Sequence, residues 1–332
     1  MDIHYLETGS FDPAINLATE EFVLENRRSG DWLMLWQNDN TVVIGLNQNT
    51  VEEINPDFIE KHGTTVIRRN TGGGAVYHDL GNLNYSFFSD LGDAEELTME
   101  RFTLPVCTAL KKMGVNAETS GRNDIIVEGK KVSGVAQRIS GNRILHHGTL
   151  LFNSDTDLIA GALRVDSAKF KSKSSKSVKS RVANIVDFLP APLTISEFKQ
   201  KLLAALAGQG LVREVLADEE KQIVSSLADS KYRSFDWNYG RSPVCSLSCK
   251  KRFDCGTLEI KLSIDRTVIS DLAFFGDFLA AEPCTPVKDA LIGVPFERNA
   301  VTSAIANSFR QQMFGNISAN EIIEIIFGES EL

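Results

Sequence analysis

The first half of the chain changes repeatedly between helical and strand-like spacing of its hydrophobic residues. Asp12-Pro13 has the character of an N-cap and a first helical residue, and the apolar residues after it predict a helix to about Glu25. Two short apolar runs, Trp32–Trp36 and Thr41–Leu46, follow. The polar residues 37–40 separate them, so the pattern predicts a hairpin.

Helical and strand-like patterns continue to the end of the chain. Pro105 is expected to kink its helix or delay the start of that helix. Thr194 and Ser318 each begin a capping box. Helices are predicted at 55–63, 98–114, 194–207 and from 318, and strands at 64–69, 75–78, 83–88, 116–119, 124–127, 131–138, 143–152, 258–264 and 267–274. The strand pairs 75–78 and 83–88, and 258–264 and 267–274, flank turns at 79–82 and 265–266. Since no regular βαβ repeat occurs, we expect an α+β fold, a mainly antiparallel sheet flanked by helices. A small C-terminal α+β domain is expected at 247–332, after a larger domain at 1–246.

Composition narrows the possible functions. The 332 residues carry a formal net charge of −9, which argues against general nucleic-acid binding. The amino terminus lacks a signal-peptide pattern and no apolar run is long enough to span a membrane, so we expect a soluble cytoplasmic protein. The five cysteines have no zinc-site spacing and are expected to be reduced and packed as small hydrophobes.

The segment RRNTGGGAVYHD, residues 68–79, is the first candidate site. Three consecutive glycines suggest unusual torsions or a ligand that approaches the backbone closely, and the arginines suggest that this ligand is an anion. The segment lacks the Lys-Ser/Thr of a Walker loop and the helix of a dinucleotide fingerprint. Exposed N–H groups between two strands remain as an anion site. The alternative is a β-bulge or a tight hairpin, which explains two glycines more readily than three.

Two further segments carry candidate polar groups. Strict alternation along KKVSGVAQ puts Lys131, Ser133 and Val135 on one face, where a buried lysine requires an anion. The alternative is a lysine at the solvated end of a hairpin. In GRNDI, Asn123 and Asp124 are candidate ligands for Mg²⁺, or they cap a turn.

Two absences restrict the chemistry. His146 and His147 are adjacent on a strand, so they face opposite ways and at most one points into a site. A centre with several histidines is therefore not expected. No serine or cysteine has the local context of an activated nucleophile. The pattern favours a reaction between two bound substrates, catalysed by position and charge.

The basic run at 167–181 contains six Lys or Arg, no acid and few apolar side chains. Taken alone, the run favours a solvated loop or linker over a lid that orders around an anion.

Together and in this order, RRNTGGGAVYHD, GRNDI, KKVSGVAQ and HHGTLL resemble the motifs of lipoate–protein ligases. These enzymes are related to biotin–protein ligases and, more distantly, to class II aminoacyl-tRNA synthetases. The resemblance is strong from Phe11 to Pro190 and weaker after that. It implies a reaction in which the carboxylate of lipoate attacks the α-phosphate of Mg²⁺-ATP. The lipoyl-adenylate then passes its acyl group to a lysine of a lipoyl acceptor domain, of the E2 type or the glycine-cleavage H type.

The resemblance also implies roles for residues of this chain. Lys131 would be catalytic and would contact both the nucleotide and the lipoyl carboxyl, and Asp124 would bind Mg²⁺. The basic run would cover the adenylate, which reverses the preference for a plain linker. The implied ATP- and adenylate-binding residues are Arg69, Gly74, Ala75, Val76, Tyr77, Asn123, Asp124 and Lys131; the lipoate-binding residues are Leu46, Lys131, Val135 and His147; the covering loop contributes Lys169, Lys171, Lys173, Lys176, Lys179 and Arg181.

Two other functions stay open on sequence grounds. An octanoyl or lipoyl transferase of the same superfamily works without ATP through a cysteine nucleophile, which the predicted pocket lacks. A non-catalytic protein that binds an acyl-adenylate or a nucleotide is the second alternative. The intact Arg69, Lys131 and GRNDI argue against the loss of a catalytic site.

Overall fold

A computed structural model describes residues 3–91, 99–120, 124–163, 181–207, 210–239, 247–265 and 267–328. Over these ranges the fold is α+β, with helices around mainly antiparallel sheets, as predicted. The described helices include none with the length and apolar character needed to cross a membrane. Cys107, Cys249, Cys255 and Cys284 are free thiols.

The elements are numbered in chain order. The helices are α1 (Pro13–Asn26), α2 (Thr50–Glu53), α3 (Pro56–His62), α4 (Glu100–Lys112), α5 (Thr156–Ala162), α6 (Ile195–Ala207), α7 (Asp218–Leu227), α8 (Phe235–Tyr239), α9 (Thr285–Leu291), α10 (Arg298–Ser308), α11 (Gln311–Phe314) and α12 (Ala319–Phe327). The strands are β1 (Ile3–Leu6), β2 (Asp31–Trp36), β3 (Thr41–Ile44), β4 (Thr65–Arg68), β5 (Val76–His78), β6 (Asn82–Asp90), β7 (Ala117–Ser120), β8 (Asp124–Val127), β9 (Lys130–Ser140), β10 (Arg143–Leu151), β11 (Leu211–Glu214), β12 (Leu247–Phe253), β13 (Gly256–Asp265) and β14 (Val268–Gly276). A 3₁₀ turn spans Ile185–Phe188 and a π-helical turn spans Ala228–Tyr232.

A large sheet forms the centre of the molecule. Within the described ranges it has eight strands in the order β11-β1-β2-β6-β10-β9-β8-β7, antiparallel except where β1 pairs with its two neighbours. Helices α4 and α6 cover one face, and α1 and α7 cover the other. Burial on both faces explains why β2 is a continuous apolar run rather than an alternating one.

The predicted hairpin of the two apolar runs is wrong. Strand β2 lies in the large sheet, whereas β3 lies between β4 and β5 in a second sheet. The segment between them carries tertiary contacts instead of a tight turn: the buried Asn38 side chain bonds both Asn16 and His78. Strands β5 and β6 likewise join different sheets, although the turn between them exists, with the N–H of Asn82 donating to the carbonyl of Asp79 at 3.1 Å.

The helix signals are confirmed. Asp12 caps α1 through its side chain and Pro13 is the first helical residue. Gly63 ends α3 in the left-handed region at φ 60°. The predicted capping boxes at Thr194 and Ser318 are formed. Pro105 lies inside α4 and does not delay its start.

The C-terminal part, 247–328, has a hydrophobic core of its own between a three-stranded sheet and helices α9 to α12. The predicted hairpin is confirmed as β13 and β14, while β12 was not predicted. The part packs on the glycine segment through residues 277–280. The division into a domain at 1–246 and another at 247–332 stays a prediction.

Candidate active site

A cavity of about 120 Å³ lies between helix α1, the large sheet and the glycine segment. Most of its wall is apolar, and two cationic residues contribute to it. The lining residues are Leu17, Trp36, Val43, Arg69, Gly73, Gly74, Ala75, Val76, His78, Asn84, Lys131, Gly134, Val135, Ala136, His147, Gly148 and Thr149.

The floor of the cavity is a row of residues on neighbouring strands. Trp36 pairs with Asn84, and Asn84 pairs with Thr149. The hydroxyl of Thr149 accepts the N–H of Gly134 at 3.2 Å, beside Lys131. Because neighbouring strands are about 4.8 Å apart, the row spans roughly 14 Å, three strand spacings. The cavity thus fits an elongated ligand with an anionic group at the Lys131 end.

Lys131 reaches the cavity because strand β9 is irregular. Ile125 pairs with Ser133 and Ile126 pairs with Lys131, so Val132 is an extra residue, a β-bulge. The bulge puts Lys131 on the face of Gly134 and Ala136 and Val132 on the face of Val135, so the predicted faces of residues 131 and 132 are wrong, whereas 133 and 135 lie opposite 134 and 136 as predicted. A Cβ on Gly134 would lie 2.9 Å from Lys131 Nζ, so glycine makes room for the lysine.

Asp124 is the ion-pair partner of this lysine. Its Oδ1 lies 2.7 Å from Lys131 Nζ, and the two side chains are 33% and 38% exposed. Such a partly solvated pair contributes little to stability. Its effect is to orient the ammonium group. Lys131 is therefore neither fully buried nor a free hairpin end.

The two arginines of the glycine segment organise the backbone. Arg68 donates to the carbonyls of Gly45, Leu46 and Gln48 at 2.7 to 3.0 Å. Arg69 donates to the carbonyls of Gly72 and Gly74 at 2.6 and 2.9 Å and to the hydroxyl of Thr71. Burial lowers the pKa of each guanidinium to about 10, so both are charged at neutral pH. Most N–H groups of the two arginines thus bond groups of the neighbouring loops and stabilise the conformation of those loops.

The three glycines have different reasons to be glycine. A Cβ on Gly72 would lie 2.6 Å from the backbone nitrogen of Ala280, and Gly73 has φ 89°. The N–H groups of Gly72 and Gly73 donate to the carbonyls of Ala280 and Phe278. Gly74 has neither constraint: a Cβ there would meet only Asp277 Cβ, at 3.9 Å. Packing and torsion therefore explain Gly72 and Gly73 but not Gly74, which lies in the cavity wall.

A hydrogen-bonded chain joins the cavity to the glycine segment. Glu20, 2% exposed, bonds His147 Nδ1 at 2.8 Å, and His147 Nε2 bonds the hydroxyl of Thr71 at 2.7 Å. Since a carboxylate only accepts, Nδ1 of His147 carries a proton. Thr71 in turn accepts from Arg69 Nε at 2.9 Å. The chain ties the orientation of His147 to that of the arginine that holds Gly74.

His146 and His147 face opposite ways, as predicted. His147 lines the cavity, while His146 is buried on the other face, stacked on Phe102 with ring centroids 4.8 Å apart. Burial, together with the charge of nearby Arg69, lowers the pKa of His78 to about 3. Burial likewise lowers the pKa of His146 to about 3.

Because of these two histidines, we expect the stability of the folded protein to fall at acid pH. Their folded pKa values lie below the unfolded value of about 6.5, so the unfolded chain takes up protons first as the pH falls. Their contribution to stability is complete above pH 6.5 and is lost on going down towards pH 3. Between pH 7 and 5 we expect the free energy of unfolding to fall by about 2 kcal/mol for each histidine. Urea unfolding at the two pH values measures it, and His146→Phe should remove about half of the loss. An unchanged loss in that variant would contradict the assignment.

The other predicted site residues are only partly brought together. Ala75, Val76 and Val135 line the cavity. The side chain of Tyr77 points elsewhere and donates to Asn40 Oδ1, and Leu46 does not belong to the lining. Asn123, Lys169, Lys171, Lys173, Lys176 and Lys179 lie outside the described residues; Arg181 is described and exposed.

Sequence reasoning missed Glu20 and several lining residues, among them Leu17, Trp36, His78 and Asn84. Leu17 is one of the apolar residues of α1, and helical spacing does not distinguish a cavity wall from a core; nothing local marks Glu20 as buried. His78 is part of the segment RRNTGGGAVYHD, but its sequence context indicates no role for it. The cavity lining contains no cysteine. Cys107 belongs to α4 and faces the core, where burial raises the pKa of its thiol. Among the described residues, no three of His, Cys, Asp and Glu are grouped to hold a metal ion.

Two family models match the chain. The lipoyl protein ligase A/B catalytic domain matches residues 12–207, and the bacterial lipoate protein ligase C-terminus matches residues 242–326.

Similar proteins extend this match to nearly the full length of the chain. Lipoate-protein ligase LplJ of Bacillus subtilis is 40% identical over 322 residues, which are 95% of this chain and 97% of that protein. The structure of P. falciparum LipL1 in complex with lipoate covers 98% of this chain and 100% of that one at TM-score 0.81, and at 24% identity it bears on the fold alone. A structure of lipoate-protein ligase A bound with ATP is 26% identical at TM-score 0.61 and covers 72% of this chain and 99% of that one. The chain belongs to the lipoate–protein ligase family.

Proposed function

We propose that this chain activates lipoate with ATP and then transfers the lipoyl group to a lysine of an acceptor lipoyl domain. In the first step a carboxylate oxygen of lipoate attacks the α-phosphorus, forming lipoyl-AMP and releasing pyrophosphate. In the second step the neutral amine of the acceptor lysine attacks the acyl carbon. An amide forms, AMP leaves, and the amine gives up a proton.

The observation that carries the proposal is the form of the cavity. It is an apolar channel with Lys131 at one end and Gly74 in its wall, next to the predicted adenylate segment. An acyl chain would lie along the strand row with its carboxylate at Lys131. His147 would then contact the chain, as the family resemblance implies. Val135, whose side chain packs in the core on the other face of the sheet, would contribute only its main chain. Gly74 would allow the phosphate to approach the backbone, a role that neither its torsion nor its packing already explains.

The chemistry asks for preorganised positive charge. Attack at phosphorus spreads negative charge over oxygens, and donors already held in place stabilise it without reorganisation. Lys131 would supply an ammonium group oriented by Asp124. The main chain from Gly74 to Tyr77 would supply N–H donors, in a conformation that Arg69 holds through the carbonyls of Gly72 and Gly74.

Mg²⁺ would arrive with ATP. The ion prefers one or two carboxylates together with substrate phosphates, so a single partly exposed carboxylate such as Asp124 fits that donor set. Bound there, Mg²⁺ would neutralise phosphate charge. Asp124 would hold the ion through its carboxylate, and the neighbouring Asn123 would contribute its amide.

Two further parts complete the proposal. The basic run, Lys169 to Arg181, would cover the adenylate and exclude water from the mixed anhydride. The residues that follow the run lie at the site, since the N–H of Ala183 donates to the carbonyl of Lys131 at 3.0 Å. Residues 1–246 would form the catalytic domain and 247–332 an accessory domain. The free thiols favour the reducing cytoplasm as the place of reaction.

The proposal predicts that the purified chain releases pyrophosphate only when both lipoate and ATP are present. With a lipoyl domain added, mass spectrometry should show one lipoyl group on one lysine. A lipoyl domain with that lysine changed to arginine serves as the control. Acyl transfer without ATP, abolished by Cys107→Ala, would show instead that the chain is a transferase.

A further inference from the structure

Two buried polar groups at the end of the cavity far from Lys131 are without a hydrogen-bond partner in the described parts of the chain. They are Nε2 of His78 and Nδ2 of Asn84. Both residues line the cavity, and they are 3% and 2% exposed. A buried donor with no acceptor loses its hydration without compensation, so each group invites an explanation.

The hydrogen bonds around His78 determine which of its nitrogens is the donor. Asn16 Nδ2 lies 3.1 and 2.8 Å from the carbonyls of Ser10 and Gln37, which only accept, so this atom is the amide nitrogen. The Asn38 atom 3.0 Å from it is therefore the acceptor Oδ1. Asn38 Nδ2 therefore donates to His78 Nδ1, at 3.2 Å. With its pKa lowered to about 3 by burial, the ring is neutral at pH 7. Its single proton is on Nε2, the nitrogen with no partner.

Asn84 lies in the strand row of the cavity floor. Its Oδ1 accepts from Asn82 Nδ2 at 3.0 Å, which leaves its Nδ2 as the second donor. The row places Asn84 two strands away from the strand of Lys131, or roughly 10 Å. Trp36 pairs with Asn84 and also meets His78 edge-on, with centroids 6.3 Å apart. Trp36 thus brings both donors to one end of the cavity.

Given the proposed function, we propose that His78 and Asn84 select lipoate over octanoate. With the carboxylate at Lys131, an eight-carbon acyl chain places its distal carbons beside these two donors. In lipoate those carbons carry two sulfur atoms, which are weak hydrogen-bond acceptors. In octanoate they carry only hydrogen, so both donors stay buried and unpaired. A site built to hydrogen-bond a ligand discriminates against the analogue that lacks the partner.

Variants of the two residues test the selection. The measurement is kcat/KM for lipoate and for octanoate, from pyrophosphate release. We expect the wild type to prefer lipoate. His78→Phe and Asn84→Leu, which keep the approximate size and remove the donor, should each lower the lipoate-to-octanoate ratio about tenfold, mainly by improving octanoate. His78→Gln keeps an acceptor for Asn38 and a donor for the ligand, so it should keep the wild-type ratio.

Leu17→Met, an apolar change elsewhere in the lining, is the matched control and should affect both acids alike. Unchanged ratios in folded His78→Phe and Asn84→Leu would overturn the inference; if His78→Phe does not fold, Asn84→Leu decides. Absence of lipoate-dependent pyrophosphate release in the wild type would instead refute the proposed function. In that case, calorimetric binding of the two acids to wild type and Asn84→Leu without ATP still tests the selection.

Discussion

Lys131→Met should reduce lipoyl-adenylate formation by about 10²- to 10³-fold while the protein stays folded. Removing one preorganised charge contact from a developing oxyanion typically costs that much in rate. Stability should change little, because the Lys131–Asp124 pair is partly solvated. Lipoate-dependent pyrophosphate release measures the first effect, and thermal unfolding measures the second.

Lys130→Met is the matched control for this change. Lys130 is the neighbouring residue of the same strand, is exposed and does not belong to the cavity lining. It should therefore keep the wild-type rate. A folded Lys131→Met protein with near-wild-type adenylate formation would remove Lys131 from the proposed mechanism.

Arg69→Lys is expected to affect both stability and activity. The guanidinium bonds Thr71, Val43, Gly72 and Gly74, and a lysine ammonium lacks the planar geometry to replace these contacts. Buried carbonyls left without donors should lower the free energy of unfolding by about 1–3 kcal/mol. The glycine segment would also lose its shape, so KM for ATP should rise. Urea unfolding and adenylation kinetics measure the two effects.

Arg68→Lys separates the two consequences. Arg68 is equally engaged with backbone carbonyls but does not line the cavity. It should lose similar stability and, at a temperature where it is folded, keep its KM for ATP closer to that of the wild type. An equal rise of KM in both variants would mean that Arg69 acts through general stability and not through the glycine segment.

Local signals predicted the elements well and their pairing less well. Helix α1 follows from Asp12-Pro13 and apolar spacing, and the capping boxes at Thr194 and Ser318 satisfy N–H groups within a few residues. The partners of β2 and β3 were predicted wrongly because a hairpin is inferred from a short loop. Here the segment that contains Asn38 connects two different sheets, and the Asn38 side chain bonds Asn16 and His78, which are remote in sequence.

In the site, too, local sequence signals predicted some features and not others. Four ordered motifs identified the family and drew attention to Lys131, Gly74 and His147, because chemistry of this kind needs specific residue types at specific spacings. The bulge at Val132 that turns Lys131 towards Gly134 has no signature in a single strand. Glu20 is an ordinary surface residue by pattern, and only the packing of α1 on the sheet brings it to His147.

Short-range periodicity, capping and motif spacing are enough to predict the fold class, most elements and the family from the amino-acid sequence. What each polar group of RRNTGGGAVYHD contacts is visible only in the folded chain. The arginines were expected at an anion, but they bond carbonyls of neighbouring loops, and two of the three N–H groups of the glycines donate to the C-terminal part. The reason is physical: a buried donor must find an acceptor, and the available acceptors are distant in the chain and adjacent only after folding.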